Sequence, residues 1–265
     1  MAKVRVRDVE LNVYDQGNGD PLLFVHGFPL NHTMWQQQLK MFAETNRVIA
    51  PDLRGFGEST VADGPLSMEQ FAEDLNGLLD TLGVEQPICY CGLSMGGYIA
   101  WPFLQHYGPR VGSLILCDTR SAADTNDAAE NRRKLATAVL KNGSNVAAEG
   151  MLPKLVSPPT LKERPQIVDS LRAMILATEP ASIAGALEGM AVRPDSTESL
   201  GEIQVPTLVI VGVDDELTSP AEMSSLAGRI PNSVFVEIPG AGHMSVMENP
   251  AAVNEAIGRF LASSP

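Results

Sequence analysis

Ser94 lies in the stretch 88–98, ICYCGLSMGGY, flanked by Gly92, Gly96 and Gly97 where a strand-forming run gives way to a helix-forming one. Glycine inside an element costs backbone entropy, so this clustering signals a geometry that other residues cannot adopt. A serine on a sharp strand-to-helix turn has its hydroxyl exposed at the carboxyl end of the strand, and small residues two positions away on each side let strand and helix approach closely. The N–H of Met95 then belongs to the helix N-terminus. A hydroxyl is a poor nucleophile until a base takes its proton, and four histidines compete for that role. His106 falls near the end of the following helix, as a dipole partner or surface residue. His32 lies in a polar loop, and His26 follows an apolar run in HGFP, where its backbone neighbourhood outweighs its imidazole. His243 sits in the glycine-rich PGAGHMSVMENP, after the last strand-like run and before the last helix-like one. A carboxyl strand end is where an open α/β sheet places its active site. For the acid that orients the base, LVIVGVDDELTSP puts Asp214 and Asp215 just past another strand-like run, while Asp118 ends LILCD and competes. The chain order serine, acid, histidine favours the later pair.

The elements that must position these residues are legible as short apolar runs bounded by turn residues, at 22–25, 47–50, 88–91, 113–117, 207–211 and 233–238. They read as strands buried on both faces. Helical patterns with start signals lie between several of them: Ser67 and Gln70 have capping-box spacing, and Ser219-Pro220 and Asn249-Pro250 place Pro at the first helical position. Alternation of strand and helix implies a parallel sheet wrapped by helices. The leading pair, 4–6 and 9–14, reads as antiparallel strands on one edge. Between about residues 120 and 200 the strand signals vanish, and helix formers dominate at 128–140, 166–177 and 182–190, with Asn142-Gly143 as a helix stop. The expected division is a core of 1–119 and 200–265 with a helical cap insert of 120–199. The tail ASSP is expected to fray.

Nineteen Lys and Arg against 32 Asp and Glu give a net charge of -13, which disfavours nucleic acid and anionic membrane as partners. The N-terminus lacks the apolar core of a signal peptide and no segment offers about 18 unbroken apolar residues, so a cytoplasmic chain is expected. Cys89, Cys91 and Cys117 sit in apolar runs and read as buried thiols, with neither a disulfide nor a thiolate metal site indicated. No ligand spacing or dinucleotide fingerprint appears, so no metal or organic cofactor is expected. The oligomeric state is left open.

Taken together, five motifs in order resemble the α/β-hydrolase superfamily: HGFP at 26–29, PDLRGFGES at 51–59, GLSMGG at 92–97, GVDDELTSP at 212–220 and GAGHMSVMENP at 240–250. The resemblance implies a mostly parallel eight-stranded sheet with helices on both faces and an inserted helical cap. It implies Asp215 as the acid, three residues after the loop glycine, with Asp214 as its neighbour. It also implies the N–H groups of Phe28 and Met95 as an oxyanion hole, and a structural role for Asp52 and Arg54. The motifs are most similar to bacterial carboxylesterases, enol-lactonases and cofactor-free haloperoxidases. Relatives that open epoxides or remove halides use Asp as nucleophile, so Ser94 counts against both activities. The implied reaction is hydrolysis of a small carboxylic ester or lactone through an acyl-enzyme at Ser94, with His243 as base and Asp215 orienting it. Cofactor-free perhydrolases carry proline at the position of Pro29, which implies peracid formation as a side activity. Trp35 and Phe28 are expected to close one side of the pocket, and Met151, Leu152, Leu155, Met174, Leu176 and Met190 to line the cap. Two rival readings are a carbon–carbon bond hydrolase of the same fold and a slow-turnover ligand receptor. The acidic chain, with no evident Arg pair for a carboxylate, weighs against the first.

Overall fold

The computed structural model describes residues 1–263; Ser264 and Pro265, half of the ASSP tail, lie outside the described residues. Eight strands form one sheet: β1 (Ala2–Val6), β2 (Val9–Gln16), β3 (Pro21–Val25), β4 (Arg47–Pro51), β5 (Ile88–Leu93), β6 (Val111–Cys117), β7 (Thr207–Gly212) and β8 (Ser233–Ile238). Their order across the sheet is β1-β2-β4-β3-β5-β6-β7-β8. β1 and β2 run antiparallel to each other, β2 runs antiparallel to β4, and every other pair is parallel. β3, β5 and β7 are buried along their whole length, as continuous apolar runs demand of a sheet covered on both faces. β8 departs from that expectation. It is an edge strand with only β7 as neighbour, and Val234 is 55% exposed.

Eleven helices complete the described residues: α1 (Gln36–Phe42), α2 (Met68–Thr81), α3 (Met95–Tyr107), α4 (Asn126–Asn142), α5 (Asn145–Leu155), α6 (Pro158–Glu163), α7 (Pro165–Ala177), α8 (Pro180–Ala191), α9 (Pro220–Arg229), α10 (Ser245–Glu248) and α11 (Pro250–Ser263). Helices cover both faces of the sheet. α2 packs on α3, and α1 on α11. The start signals act as the sequence implies: the Ser67 hydroxyl accepts from the N–H of Gln70, and Ser219 from that of Glu222. α4 stops at Asn142, followed by Gly143 at φ +91°. Between β6 and β7 stand α4 to α8, two of which, α5 and α6, have no counterpart among the helical runs read from the sequence.

The strand order reverses between β3 and β5: the chain leaves β3 for β4 on one side and leaves β5 for β6 on the other. Connections diverging from adjacent strands open a crevice at their carboxyl ends, where ligands bind in open α/β sheets. The loop after β3 and the β5–α3 turn border that crevice. All three cysteines are free and buried. Among the described residues no helix is long and apolar enough to cross a membrane.

Candidate active site

Ser94 stands between β5 and α3 at φ +53°, ψ -112°, a backbone region that a residue with a Cβ occupies only when its surroundings impose it. The surroundings do so through hydrogen bonds: the Ser94 N–H donates to the Cys117 carbonyl at 3.0 Å, and its own carbonyl accepts from Gly97, Tyr98 and the Thr119 hydroxyl. The two glycines are required by close approach. A Cβ on Gly92 would come within 2.5 Å of the Gly96 oxygen, and one on Gly96 within 2.3 Å of the Val25 oxygen, both backbone atoms.

His243, in the loop between β8 and α10, reaches this serine: Nε2 lies 2.9 Å from Ser94 Oγ. Its Nδ1 lies 2.8 Å from Asp215 Oδ2, and both side chains are almost fully buried. Asp215 is held in turn by the N–H groups of Leu217 and Thr218 on Oδ1 and by the Thr218 hydroxyl at 2.5 Å on Oδ2. Burial works against ionisation of its carboxyl. The His243 ring and the Thr218 donors outweigh burial and hold the pKa below the usual value.

The two rival acids are elsewhere. Asp214 is exposed, its N–H donating to the Ala241 carbonyl. Asp118 is fully buried behind the site, at φ +46°, accepting from the Gly212 N–H at 2.8 Å and the Ser245 hydroxyl at 2.5 Å. Burial and the nearby Asp215 charge push its pKa well above the usual carboxylate value. It ties the end of β7 to α10 and makes no recorded contact with the imidazole of His243.

Phe28 and Pro29, joined by a cis peptide bond, lie in the loop after β3, and Met95 opens α3, where its N–H has no intrahelical acceptor. That loop is fixed by His26, whose imidazole does more than its sequence setting suggests. Its Nδ1–H donates to the Gly27 carbonyl at 2.9 Å, and its Nε2 accepts from the Leu53 N–H at 3.0 Å. Burial pushes its pKa down to about 4, so the ring is neutral. His32 contributes as well, with Nδ1 2.6 Å from Asp52 Oδ1. Asp52 also accepts from Asn12 and the Glu58 N–H, and Arg54 pairs with Asp74 and Asp8. His106 is exposed at the end of α3.

A cavity of about 520 Å³ opens above Ser94 and His243, with Phe28 and Tyr98 in its walls. Of the expected cap residues, Met151, Leu155 and Met190 line it. Leu152 turns into the core, Met174 accepts from the Thr33 hydroxyl, and Leu176 is 49% exposed. Trp35 does not close the pocket. Its ring is buried, 4.9 Å from that of Phe24, because the 3-10 turn His32–Trp35 directs it into the core. The absence of an evident Arg pair also misled: Arg120, Arg132 and Lys154 all line the cavity. Consecutive charges in NRRK of α4 read as a solvated helix face, and nothing local marks one of them as turned inward.

Residues 20–250 match the family described as the alpha/beta hydrolase fold. The chain is 31% identical to 3-oxoadipate enol-lactonase 2 of Acinetobacter baylyi over 95% of its own length and 92% of that protein's. A thermophilic esterase from Thermogutta terrifontis, solved with malate bound, superposes with a TM-score of 0.97 at 44% identity, covering 100% of this chain and 99% of that one. The enol-lactonase from Burkholderia xenovorans gives 0.91 at 26% identity, over 99% and 100%. With a family match that spans the whole frame of sheet, elbow and histidine loop, and with these relatives covered end to end, the chain belongs to the α/β-hydrolase fold family.

Proposed function

We propose that this hydrolase cleaves carboxylic esters or lactones with Ser94 as nucleophile, His243 as general base and acid, and Asp215 as the group that fixes the imidazole. The carrying observation is the continuous contact from Ser94 Oγ to His243 Nε2 and from His243 Nδ1 to Asp215 Oδ2. Ser94 Oγ attacks the carbonyl carbon while its proton passes to His243 Nε2. The N–H groups of Phe28 and Met95 donate to the oxyanion. Collapse of the tetrahedral adduct expels the alcohol, which takes the proton from His243 and leaves an acyl-enzyme. Water then gives a proton to His243 and its oxygen to the acyl carbon, and the proton returns to Ser94 as the acid departs. Residues 120–199 act as a cap over this chemistry, a reading supported by the cavity walls contributed by α4, α5 and α8.

Hydrogen peroxide in place of water would yield a peracid, with the Pro29 carbonyl positioning it. That carbonyl stands 3.3 Å from the Thr178 hydroxyl, which donates to it. If Pro29→Leu leaves the ratio of perhydrolysis to hydrolysis of a short ester unchanged, Pro29 is structural only.

The test of the main reading is turnover of 4-nitrophenyl acetate by purified protein. Release of many equivalents per active site is expected, and stalling after about one equivalent would identify a receptor instead.

A further inference from the structure

Although the whole chain carries a net charge of -13, the cavity above Ser94 is lined by three cations, Arg120, Arg132 and Lys154, and one carboxylate, Asp124. Arg120 is committed to the Leu217 carbonyl and to Glu222. Asp124 is over-matched: it accepts from Arg132 Nε at 2.5 Å and from Arg193 Nη1 at 2.7 Å. Two guanidinium groups on one carboxylate leave the cluster with a formal charge of +1. Arg193 is buried and fully used, donating also to the carbonyls of Met190 and Ala122. It stacks 4.1 Å above the Tyr98 ring and so fixes that ring in place.

Arg132 is different. Its side chain is 23% exposed, and its Nη1 reaches only the Met190 sulfur at 3.6 Å, a weak acceptor. Burial works against its charge, while Asp124 and the Tyr98 phenol hold its pKa up, which puts that phenol beside the guanidinium. Tyr98 is one turn of α3 beyond Ser94, about 6 Å along the axis. A fork donor with no matching acceptor, a phenol beside it and Lys154 at the exposed rim make a receptor for a planar anion.

We infer that Arg132 and Tyr98 form a carboxylate subsite, so the preferred substrate is an ester or lactone that carries a free carboxylate a short spacer away from the scissile carbonyl. The inference rests on Ser94 as nucleophile in the same cavity. Because the arginine fork is anchored through Nε to Asp124, its outer edge is free to take the anion, and Tyr98 adds a third donor. Lys154 draws the acid toward the mouth in a chain whose overall charge would repel it.

The test compares kcat/KM for monoethyl adipate with that for its uncharged analogue ethyl hexanoate. The wild-type protein is expected to favour the acid by at least about tenfold, the worth of a charge-assisted hydrogen bond. Arg132→Gln should abolish the advantage, whereas Arg132→Lys and Tyr98→Phe should each reduce it by about threefold or more. The two milder variants carry the test if melting shows that Arg132→Gln does not fold. Equal rates for the two esters in the wild type, or an advantage that survives Arg132→Gln, would overturn the subsite. Should the wild type cleave neither ester, the nucleophile reading is what fails, and the subsite is judged by calorimetric titration with adipate against hexanoate. Adipate binding that weakens at least about tenfold in the Arg132 and Tyr98 variants upholds it, and equal binding of the two acids overturns it.

Discussion

Two buried carboxyl groups flank the proposed chemistry, and their surroundings separate them. Asp215 meets His243 Nδ1 at 2.8 Å, whereas Asp118 meets a backbone N–H and a serine hydroxyl. An acid that holds the imidazole tautomer is worth about four orders of magnitude in turnover, so Asp215→Asn should lower kcat on an activated ester at pH 8 by that factor. Asp118→Asn and Asp214→Asn should cost less than about tenfold, because neither removes an imidazole partner. A collapse confined to Asp118→Asn would move the acid to the end of β6. A second residue-scale expectation concerns His26, whose pKa falls from 6.5 to about 4 through burial. Between those values the folded protein binds fewer protons at this ring than the unfolded chain does. Its contribution is therefore complete above pH 6.5 and is lost as the pH falls toward 4, about 3 kcal/mol in all. Denaturant unfolding at pH 7 and pH 4.5 checks this: His26→Gln should be less stable at pH 7 yet lose less between the two values, and parallel losses would contradict it. At this scale the serine, histidine and acid were legible because glycine spacing and strand-end position are local signals. Arg132 was not, since only tertiary placement turns one charge of a helix inward.

Among the elements, the β5–α3 turn is the most constrained. Gly96→Ala would drive a Cβ to within 2.3 Å of a backbone oxygen, and overpacking of that kind costs about 1–3 kcal/mol. Gly258, inside α11 with nothing near its missing Cβ, should behave oppositely, Gly258→Ala stabilising by about 0.5–1 kcal/mol. Thermal melts of the two variants measure both signs. The strands were readable from apolar runs alone, and β8 matches the run at 233–238 in its bounds. Its position at the edge was not readable, because alternation along one strand does not say how many neighbours it has. α5 and α6 escaped notice for a different reason. Gly150 and Pro153 interrupt the first and Pro158-Pro159 open the second, so residues that usually punctuate a chain mask its helices.

Across the whole molecule, the helical layer and the histidine loop are fastened together. Glu248 accepts from the N–H groups of Ser157 and Gly242, one on each side of the junction, and the Met244 N–H donates to the Leu155 carbonyl. Truncation by Glu248→Ala leaves two buried N–H groups without an acceptor, at a cost on the order of 2–5 kcal/mol. Because Gly242 immediately precedes His243, turnover should fall along with stability, and a variant that loses stability but keeps full turnover would uncouple the two. The insertion of helices between β6 and β7 was legible from the loss of strand signals after about residue 120. The bonds that join insert to core were not, since they connect positions some ninety residues apart. The central claim, that Ser94 activated by His243 is the nucleophile, is tested most directly by reaction with a fluorophosphonate followed by peptide mass mapping. The account predicts a single adduct on Ser94, absent in Ser94→Ala and greatly slowed in His243→Ala; an adduct on another serine, or unchanged labelling of the Ser94→Ala protein, would contradict it.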